Sequence, residues 1–171
     1  LYSFVDKNNF SSSFINHSDE LSRYNLSFLK VYEDYLWIGN KGRGALQILD
    51  NDFKRHTIID DVSIGNMLDI AFSNKYAFVL VNPLDNINDY VIVQYRIDDL
   101  DDPDNLSTIS DIPYAFNIIN DIEVYNETLY LATDNGMFSN NQLDYIYLNQ
   151  NDWIPSDDNS NHDNLLLHGS N

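Results

Sequence analysis

A repeat in the sequence limits what this chain can fold into more strongly than any other feature. The segments LKVYEDYLWIGN (29–40) and IEVYNETLYLAT (122–133) have apolar residues at matching positions, 93 residues apart, and a Gly-containing turn follows each of them. A weaker copy, IAFSNKYAFVLV (70–81), lies between them and aligns Phe72 with Tyr32. The separation therefore contains two periods of roughly 40 and 53 residues, and self-similarity of this kind indicates a repeat architecture.

One period is predicted to form four β-strands. Its apolar, β-prone segments are separated by turn-forming residues, at Glu33-Asp34, at the glycine turn and at 50–52. The predicted strands are 28–32, 36–40, 45–49 and 56–59. The second strand is almost wholly apolar, which is typical of a strand covered on both faces. Four-stranded antiparallel units with a period of about 40–50 residues are typical of β-propeller blades.

The chain is therefore predicted to be all-β, a β-propeller fragment of about three four-stranded antiparallel blades. We place these blades at approximately 28–60, 67–110 and 117–155, in a single propeller region over 1–171. Segments 2–5 and 165–167 would be flanking strands from incomplete blades. Because a propeller usually closes with about four to eight blades, we expect this chain to be part of a longer one. Further blades would come from the same chain or from a partner chain.

The segment LWIGNKGRGALQILD (36–50) resembles the repeat of the two-component-regulator propeller family. That pattern is Leu-Trp-Ile-Gly-Thr, a glycine-rich turn, Leu, and an end similar to Tyr-Asp. The matching residues are Leu36, Trp37, Ile38, Gly39, Gly44, Leu46 and Asp50. LYLATDNGMFSNN (129–141) resembles a second copy, whereas Asn40 and Leu49 depart from the usual Thr and aromatic residue. The resemblance implies a bacterial extracytoplasmic propeller, in a sensor domain or in a secreted or cell-surface protein of the Bacteroidetes type.

The charge balance excludes several classes of partner. The chain has 27 acidic and 9 basic residues and a formal net charge of −18, and such a surface repels phosphate backbones and anionic lipids. No apolar run is long enough to span a membrane. We therefore expect neither nucleic-acid binding nor membrane insertion. The absence of cysteine excludes disulfides, thiol chemistry and Cys-ligated zinc.

The KGRG turn at 41–44 has glycines and two cations, as an anion-binding loop would. A phosphate loop, however, has a longer glycine spacing and is followed by a helix, whereas the next segment here is a predicted strand. We interpret the turn as a hairpin connection. No His-Glu-x-x-His or Gly-x-Ser-x-Gly motif is present. With 27 acidic residues, a close pair of carboxylates has no predictive value for glycoside chemistry.

Calcium is the one cofactor that the sequence suggests. The segment DDNSNHDN (157–164) has oxygen-bearing side chains at every second position, which is a ligand type that calcium prefers. The candidate ligands are Asp157, Asn159, Asn161 and Asp163. The alternative is a polar loop between blades. The more acidic segment DDLDDPDN (98–105) lacks the EF-hand spacing, and we interpret it as a solvated loop.

Aromatic side chains outside the apolar strands are candidates for ligand binding. Trp37 and Tyr130 lie in the most apolar strand of their repeats and are expected in the core. The residues at strand ends or in loops, where recognition residues are often placed, are Tyr35, Tyr90, Tyr114 and Trp153.

These features predict a non-catalytic extracytoplasmic module that binds a protein or a glycan through loops on one propeller face. One alternative is a propeller-type carbohydrate hydrolase or lyase with catalytic residues at the axial end of the inner strands. Another is a structural subunit of a surface assembly. Propeller folds serve many functions, so the repeat alone does not decide among them.

Overall fold

The computed structural model describes residues 2–4, 14–16, 26–41, 45–50, 52, 55–60, 65–82, 89–99, 106–109, 112, 117–143 and 153–155. Its strands are β1 (Tyr2–Phe4), β2 (Phe14–Asn16), β3 (Leu26–Tyr32), β4 (Tyr35–Asn40), β5 (Ala45–Leu49), β6 (Arg55–Asp60), β7 (Asn66–Phe72), β8 (Tyr76–Asn82), β9 (Val91–Arg96), β10 (Leu106–Ile109), β11 (Ile119–Tyr125), β12 (Thr128–Thr133), β13 (Gly136–Asn140) and β14 (Ile154–Pro155). A short 3-10 turn, Ile97–Asp99, follows β9. Within these ranges, no helix has the length and apolar character needed to cross a membrane.

Strands β3–β14 form three four-stranded antiparallel sheets. We call β3–β6 the first sheet, β7–β10 the second sheet and β11–β14 the third sheet. In each one, strands that follow each other in sequence lie side by side. The predicted all-β class is confirmed, and so are the four strands predicted for the first period. Strand β1 corresponds to the predicted strand at 2–5 and pairs with β2, whereas the predicted strand at 165–167 lies outside the described residues.

The three sheets share one irregularity in the same place. The pairing of the first two strands shifts between Leu26 and Phe28, between Met67 and Asp69, and between Ile119 and Asp121. The first and second shifts are 41 residues apart and the second and third are 52 apart, which together give the 93 residues seen in sequence. Such a bulge bends a strand and increases its twist. The recurrence shows that the repeat extends to backbone pairing.

The sequence alignment of Phe72 with Tyr32 is wrong by one residue. Phe72 pairs with Ala77, as Val31 pairs with Leu36, so Phe72 is equivalent to Val31. The turns of the two sheets have the same length, because Ser73 and Tyr76 take the positions of Tyr32 and Tyr35. The aromatic residue near the end of the first strand comes one position earlier in the second sheet, so matching the two aromatic residues shifted the alignment by one.

The second sheet packs between the other two. Strand β7 contacts β3 and β4 of the first sheet and β11 of the third. The core between the first and second sheets includes Phe28, Trp37, Leu46, Ile48, Met67, Ile70, Val79 and Val93. The core between the second and third sheets includes Phe78, Leu80, Ile92, Ile122, Leu129, Leu131 and Phe138. Trp37 is fully buried, as predicted, whereas Tyr130 is only partly buried.

Gly39 is required by the packing of the first sheet. It lies opposite Phe28 in the pairing of β3 with β4, and a Cβ atom at this position would overlap the phenyl ring. The glycine of the LWIGN segment therefore makes room for an aromatic side chain on the neighbouring strand, a known use of glycine in sheets.

Candidate functional site

The first turns of the three sheets lie at the same end of the structure, which we call the first-turn end. These turns are 33–34, 73–75 and 126–127. The Tyr32 hydroxyl donates a hydrogen bond to the Ser73 carbonyl at 2.9 Å. The Asn74 Nδ2 atom donates to the Glu127 Oε1 atom at 2.8 Å. Side chains therefore connect the first sheet to the turn of the second sheet, and that turn to the turn of the third sheet.

A surface pocket of about 400 Å³ lies at the first-turn end, between the second and third sheets. Its described lining consists of Ser73, Lys75, Tyr76, Glu127, Asn141, Gln142 and Leu143. The lining combines an ammonium group, a carboxylate, two amides, a hydroxyl and an aromatic ring. Such a mixture of donors and acceptors beside an aromatic side chain suits a polar, hydroxyl-rich ligand.

The wall of the pocket formed by the second sheet is held by local hydrogen bonds. The Ser73 N–H donates to the Tyr76 carbonyl at 2.8 Å. The Ser73 hydroxyl oxygen accepts from the N–H groups of Lys75 at 3.3 Å and Tyr76 at 3.0 Å. A serine that holds its own turn in this way reduces the conformational freedom of the turn. The wall is thus ordered before any ligand binds.

The opposite wall is anchored to the core. The Gln142 N–H donates to the Asn140 Oδ1 atom at 2.8 Å, and the Gln94 Nε2 atom donates to the Leu143 carbonyl at 3.1 Å. Asn140 and Gln94 are both buried. The exposed side chains of Asn141 and Gln142 therefore extend from a backbone that two buried amides fix in place.

Charge at the first-turn end acts on Tyr32. Burial, followed by the negative charges of Glu33 and Glu127, raises the pKa of the Tyr32 phenol. The phenol therefore keeps its proton at neutral pH and remains a donor to Ser73. Glu33 belongs to the first sheet and Glu127 to the third, so charges from two sheets act on this phenol.

Asp134 organises the opposite end of the third sheet. Its carboxylate accepts hydrogen bonds from the N–H groups of Asn117 at 2.9 Å and Ile118 at 3.2 Å, and from Asn117 Nδ2 at 3.2 Å. Desolvation raises the pKa of Asp134, but these hydrogen bonds and one from its own backbone outweigh it, so the pKa lies below its usual value. This carboxylate holds a turn in place.

The aromatic residues predicted to bind a ligand do not form one surface. Tyr35 begins β4 at the first-turn end and packs, partly buried, against the core of the first and second sheets. Tyr90 precedes β9 at the other end and packs against the core of the second and third sheets. Tyr114 lies outside the described residues.

Trp153, the fourth aromatic residue predicted to bind a ligand, is buried. Its side chain is 5% exposed and belongs to the core between the second and third sheets. Trp153 directly precedes β14, which pairs with β13, and its ring lies in the same core cluster as Phe138 and Leu143. Trp153 is therefore buried although it lies next to the short strand β14.

The candidate calcium ligands Asp157, Asn159, Asn161 and Asp163 all lie outside the described residues. Of the second acidic segment, Asp98 is exposed and is paired with Arg96, with 2.8 Å between the Arg96 Nη2 and Asp98 Oδ2 atoms. A hydrogen bond from Arg96 lowers the pKa of Asp98. In the part of the chain that the structure describes, no three His, Cys, Asp or Glu side chains are grouped as metal ligands.

Sequence reasoning did not identify the pocket residues. Lys75 and Glu127 lie in turns that are 52 residues apart, and Asn141 and Gln142 follow a third strand. The repeat itself contained a usable signal. When the repeated four-stranded sheets stack on one another, the turns between their first two strands lie at the same end of the structure. Polar residues in those turns could have been grouped on that basis.

No protein-family model matches the chain. A search of curated proteins found no matching relative either.

Proposed function

We propose that this chain is a non-catalytic propeller-type binding module of the two-component-regulator kind, whose three sheets are successive blades. Two observations support this arrangement. The sheets are equal four-stranded meanders with the same bulge. In addition, the first strand of the second sheet contacts the first strands of both neighbours, as strands nearest a common axis would.

The pocket at the first-turn end is the proposed ligand site, and its lining is the observation that most supports a binding function. It places the amides of Asn141 and Gln142 beside the ring of Tyr76, on walls that are already ordered. Sugars are bound in proteins by such combinations of amides and aromatic rings, and we therefore favour a glycan over a protein ligand. The extracytoplasmic location belongs to the same proposal and rests on the repeat resemblance.

A polysaccharide-binding experiment tests the proposed site. The chain would be titrated by calorimetry against a panel of neutral, acidic and amino-sugar oligosaccharides. With the best binder, the Asn141→Ala and Gln142→Ala variants should each bind about tenfold more weakly, which corresponds to the loss of one or two hydrogen bonds. Asn120→Ala is the matched control, because Asn120 is an exposed asparagine on β11, away from the pocket.

Two results would contradict the proposal. Equal loss of affinity in Asn120→Ala and Asn141→Ala would place the ligand elsewhere. Release of new reducing ends from any oligosaccharide of the panel would favour the hydrolase or lyase alternative instead.

A further inference from the structure

The outer face of the third sheet is the face turned away from the second sheet, and it includes Glu123, Tyr130, Met137, Ser139 and Ile154. Burial in β13 alternates, with Gly136, Phe138 and Asn140 buried and the two residues between them partly exposed. Ile154, beside Ser139 in the pairing, is 59% exposed. By contrast, four successive residues of β9, 92–95, are all buried. Alternation indicates a sheet covered on one face.

The repeat identifies what normally covers this face. Trp37, Phe78 and Tyr130 occupy equivalent positions in the second strands of the three sheets. Trp37 lies in the core formed with the second sheet, and Phe78 lies in the core formed with the third. Each of these aromatic residues therefore points to the sheet that follows in sequence, and both are fully buried. Tyr130 points the same way but is only partly buried.

The residues opposite Trp37 and Tyr130 are charged and opposite in sign, whereas Ala71 lies opposite Phe78. In the first sheet Lys30 pairs with Trp37, and its Nζ atom contacts Asp69 Oδ1 at 3.0 Å and the Ile70 carbonyl at 2.6 Å. These two acceptors lie just after the bulge of the following sheet. In the third sheet the equivalent residue is Glu123, opposite Tyr130. Its Oε1 atom accepts a hydrogen bond from the N–H of Val124 at 3.0 Å.

The reversed charge selects the occupant. The Lys30 side chain remains 34% exposed beneath the second sheet, so a sheet stacked on Tyr130 in the same way would cover part of Glu123. A partly desolvated carboxylate is stabilised by a nearby cation. A second copy joined through the same face would offer no cation to Glu123, because the described residues of the third sheet include no Lys or Arg. A second copy joined through its first sheet would offer Phe28 at the position of Asp69, which again provides no cation.

We propose that the outer face of the third sheet docks a further four-stranded antiparallel sheet with a Lys or Arg immediately after the bulge of its first strand, the position that Asp69 holds in the second sheet. The basic residue pairs with Glu123, so the Lys30–Asp69 contact recurs with its charges exchanged. This inference depends on the sheet stacking described above and not on the ligand of the first-turn pocket.

The two methionines of the chain allow a direct test. Met137 lies on the outer face and is partly exposed, whereas Met67 is fully buried in the core. The full chain would be extended after residue 171 by a copy of residues 65–112, which contain the second sheet. The copy would carry Met67→Leu, so that the extended chain keeps only the original Met67 and Met137. Met137 then reports the outer face and Met67 reports the core. Oxidation by hydrogen peroxide, followed by peptide mass spectrometry, measures the exposure of each thioether.

Four versions of the extended chain form a charge cycle. Asp69→Lys in the copy should slow Met137 oxidation by about fivefold relative to the unextended chain, because the thioether becomes covered. Glu123→Lys in the original 171 residues, combined with an unchanged Asp69 in the copy, should protect Met137 equally. This combination has the same signs of charge as the Lys30–Asp69 pair. The two versions with like charges should protect Met137 less. They combine Glu123 with Asp69 of the copy, or Glu123→Lys with Asp69→Lys of the copy. Met67 should remain slow in every version.

Three outcomes would overturn the proposal. The first is an equal rate of Met137 oxidation in all four extended chains and in the unextended chain. Met137 in the unextended chain could already react as slowly as Met67, which would mean that the chain itself covers this face. Protection of Met137 in the unextended chain that increases with protein concentration would assign the face to a second copy.

Discussion

Tyr32 of the first sheet stacks on Phe72 of the second, with ring centroids 4.4 Å apart and an interplanar angle of 10°. Trp37 meets the same Phe72 ring edge-on at 5.2 Å. Such aromatic pairs add about 0.5–1.5 kcal/mol beyond the area they bury. The contact between the two sheets is therefore directional, with one ring of the second sheet held by two rings of the first.

The hydroxyl group of Tyr32 should contribute separately from its ring. Tyr32→Phe keeps the stacking on Phe72 but removes the donor to the Ser73 carbonyl, so we expect a loss of about 1 kcal/mol in the free energy of unfolding. Tyr32→Leu also removes the stacked ring and should be less stable than Tyr32→Phe. Urea denaturation of the three proteins measures both steps. Equal stability of the wild type and Tyr32→Phe would show that the hydrogen bond makes no net contribution.

Stability should decrease at alkaline pH through Tyr32. Burial and the charges of Glu33 and Glu127 raise the pKa of this phenol in the folded state above its ordinary value of 10.0. The folded state thus binds the proton more tightly, and the associated stability is complete below pH 10.0 and is lost as the pH rises through the folded-state pKa. Unfolding curves from about pH 8 to 11 would show the advantage of the wild type over Tyr32→Phe becoming smaller. A constant difference would contradict the assignment.

Glu33 occupies a backbone conformation that favours glycine, with φ at 51°. Glu33→Gly should therefore stabilise the fold by about 1 kcal/mol, the usual cost of the left-handed region for other residues. It should also lower the pKa of Tyr32, because one of the charges that raise it is removed. Asp34→Gly is the matched control in the same turn, since Asp34 has no positive φ. Thermal unfolding would separate them, and a gain in both variants would argue against relief of strain.

Loss of the Asp134 carboxylate should destabilise the third sheet in a pH-dependent way. Asp134→Ala removes the acceptor of the Asn117 and Ile118 N–H groups, at a cost of about 1 kcal/mol; Asp134→Asn, which keeps one acceptor oxygen, should lose less. Because the folded-state pKa lies below 3.8, the advantage of the wild type is complete above that pH and is lost as the pH falls through the folded-state pKa. Denaturation at neutral and acidic pH tests this, and a difference that persists at the lowest pH would refute it.

Gly39→Ala should be strongly destabilising although both residues are small. The new methyl group overlaps the ring of Phe28, and forcing extra volume into a packed sheet costs about 1–3 kcal/mol. Phe28→Leu in the same chain should recover part of this loss, so the two substitutions should be non-additive. A double-mutant cycle of unfolding free energies measures the coupling. Additive effects would mean that the ring moves aside without cost.

The strands of the first repeat could be predicted because their signals are local. Apolar runs such as LWIGN, separated by Glu33-Asp34 and by glycines, correspond to β4 and its neighbours in the structure. The burial of Trp37 followed from the same pattern, since a strand without polar alternation is covered on both faces. These properties depend on neighbours within a few residues.

The placement of Trp153 and of the pocket residues depends on distant parts of the chain. Trp153 is buried because it joins a core shared with β8 and β12, and its own sequence, next to polar residues, contains no sign of that. The pocket joins Ser73 to Gln142 through the stacking of two sheets. Sequence patterns indicate which residues lie in turns, but only the packing brings those turns together.

The bulge common to β3, β7 and β11 has a consequence for how the sequence of such a chain evolves. Between the bulge and the first turn, the register of the first two strands is the same in all three sheets. The distance in sequence from one bulge to the next nevertheless increases from 41 to 52 residues. The additional residues fall in the connections after β8, β9 and β10. Natural variation can therefore lengthen the connections, where new binding specificities arise, without altering the pairing frame that each duplicated unit inherits.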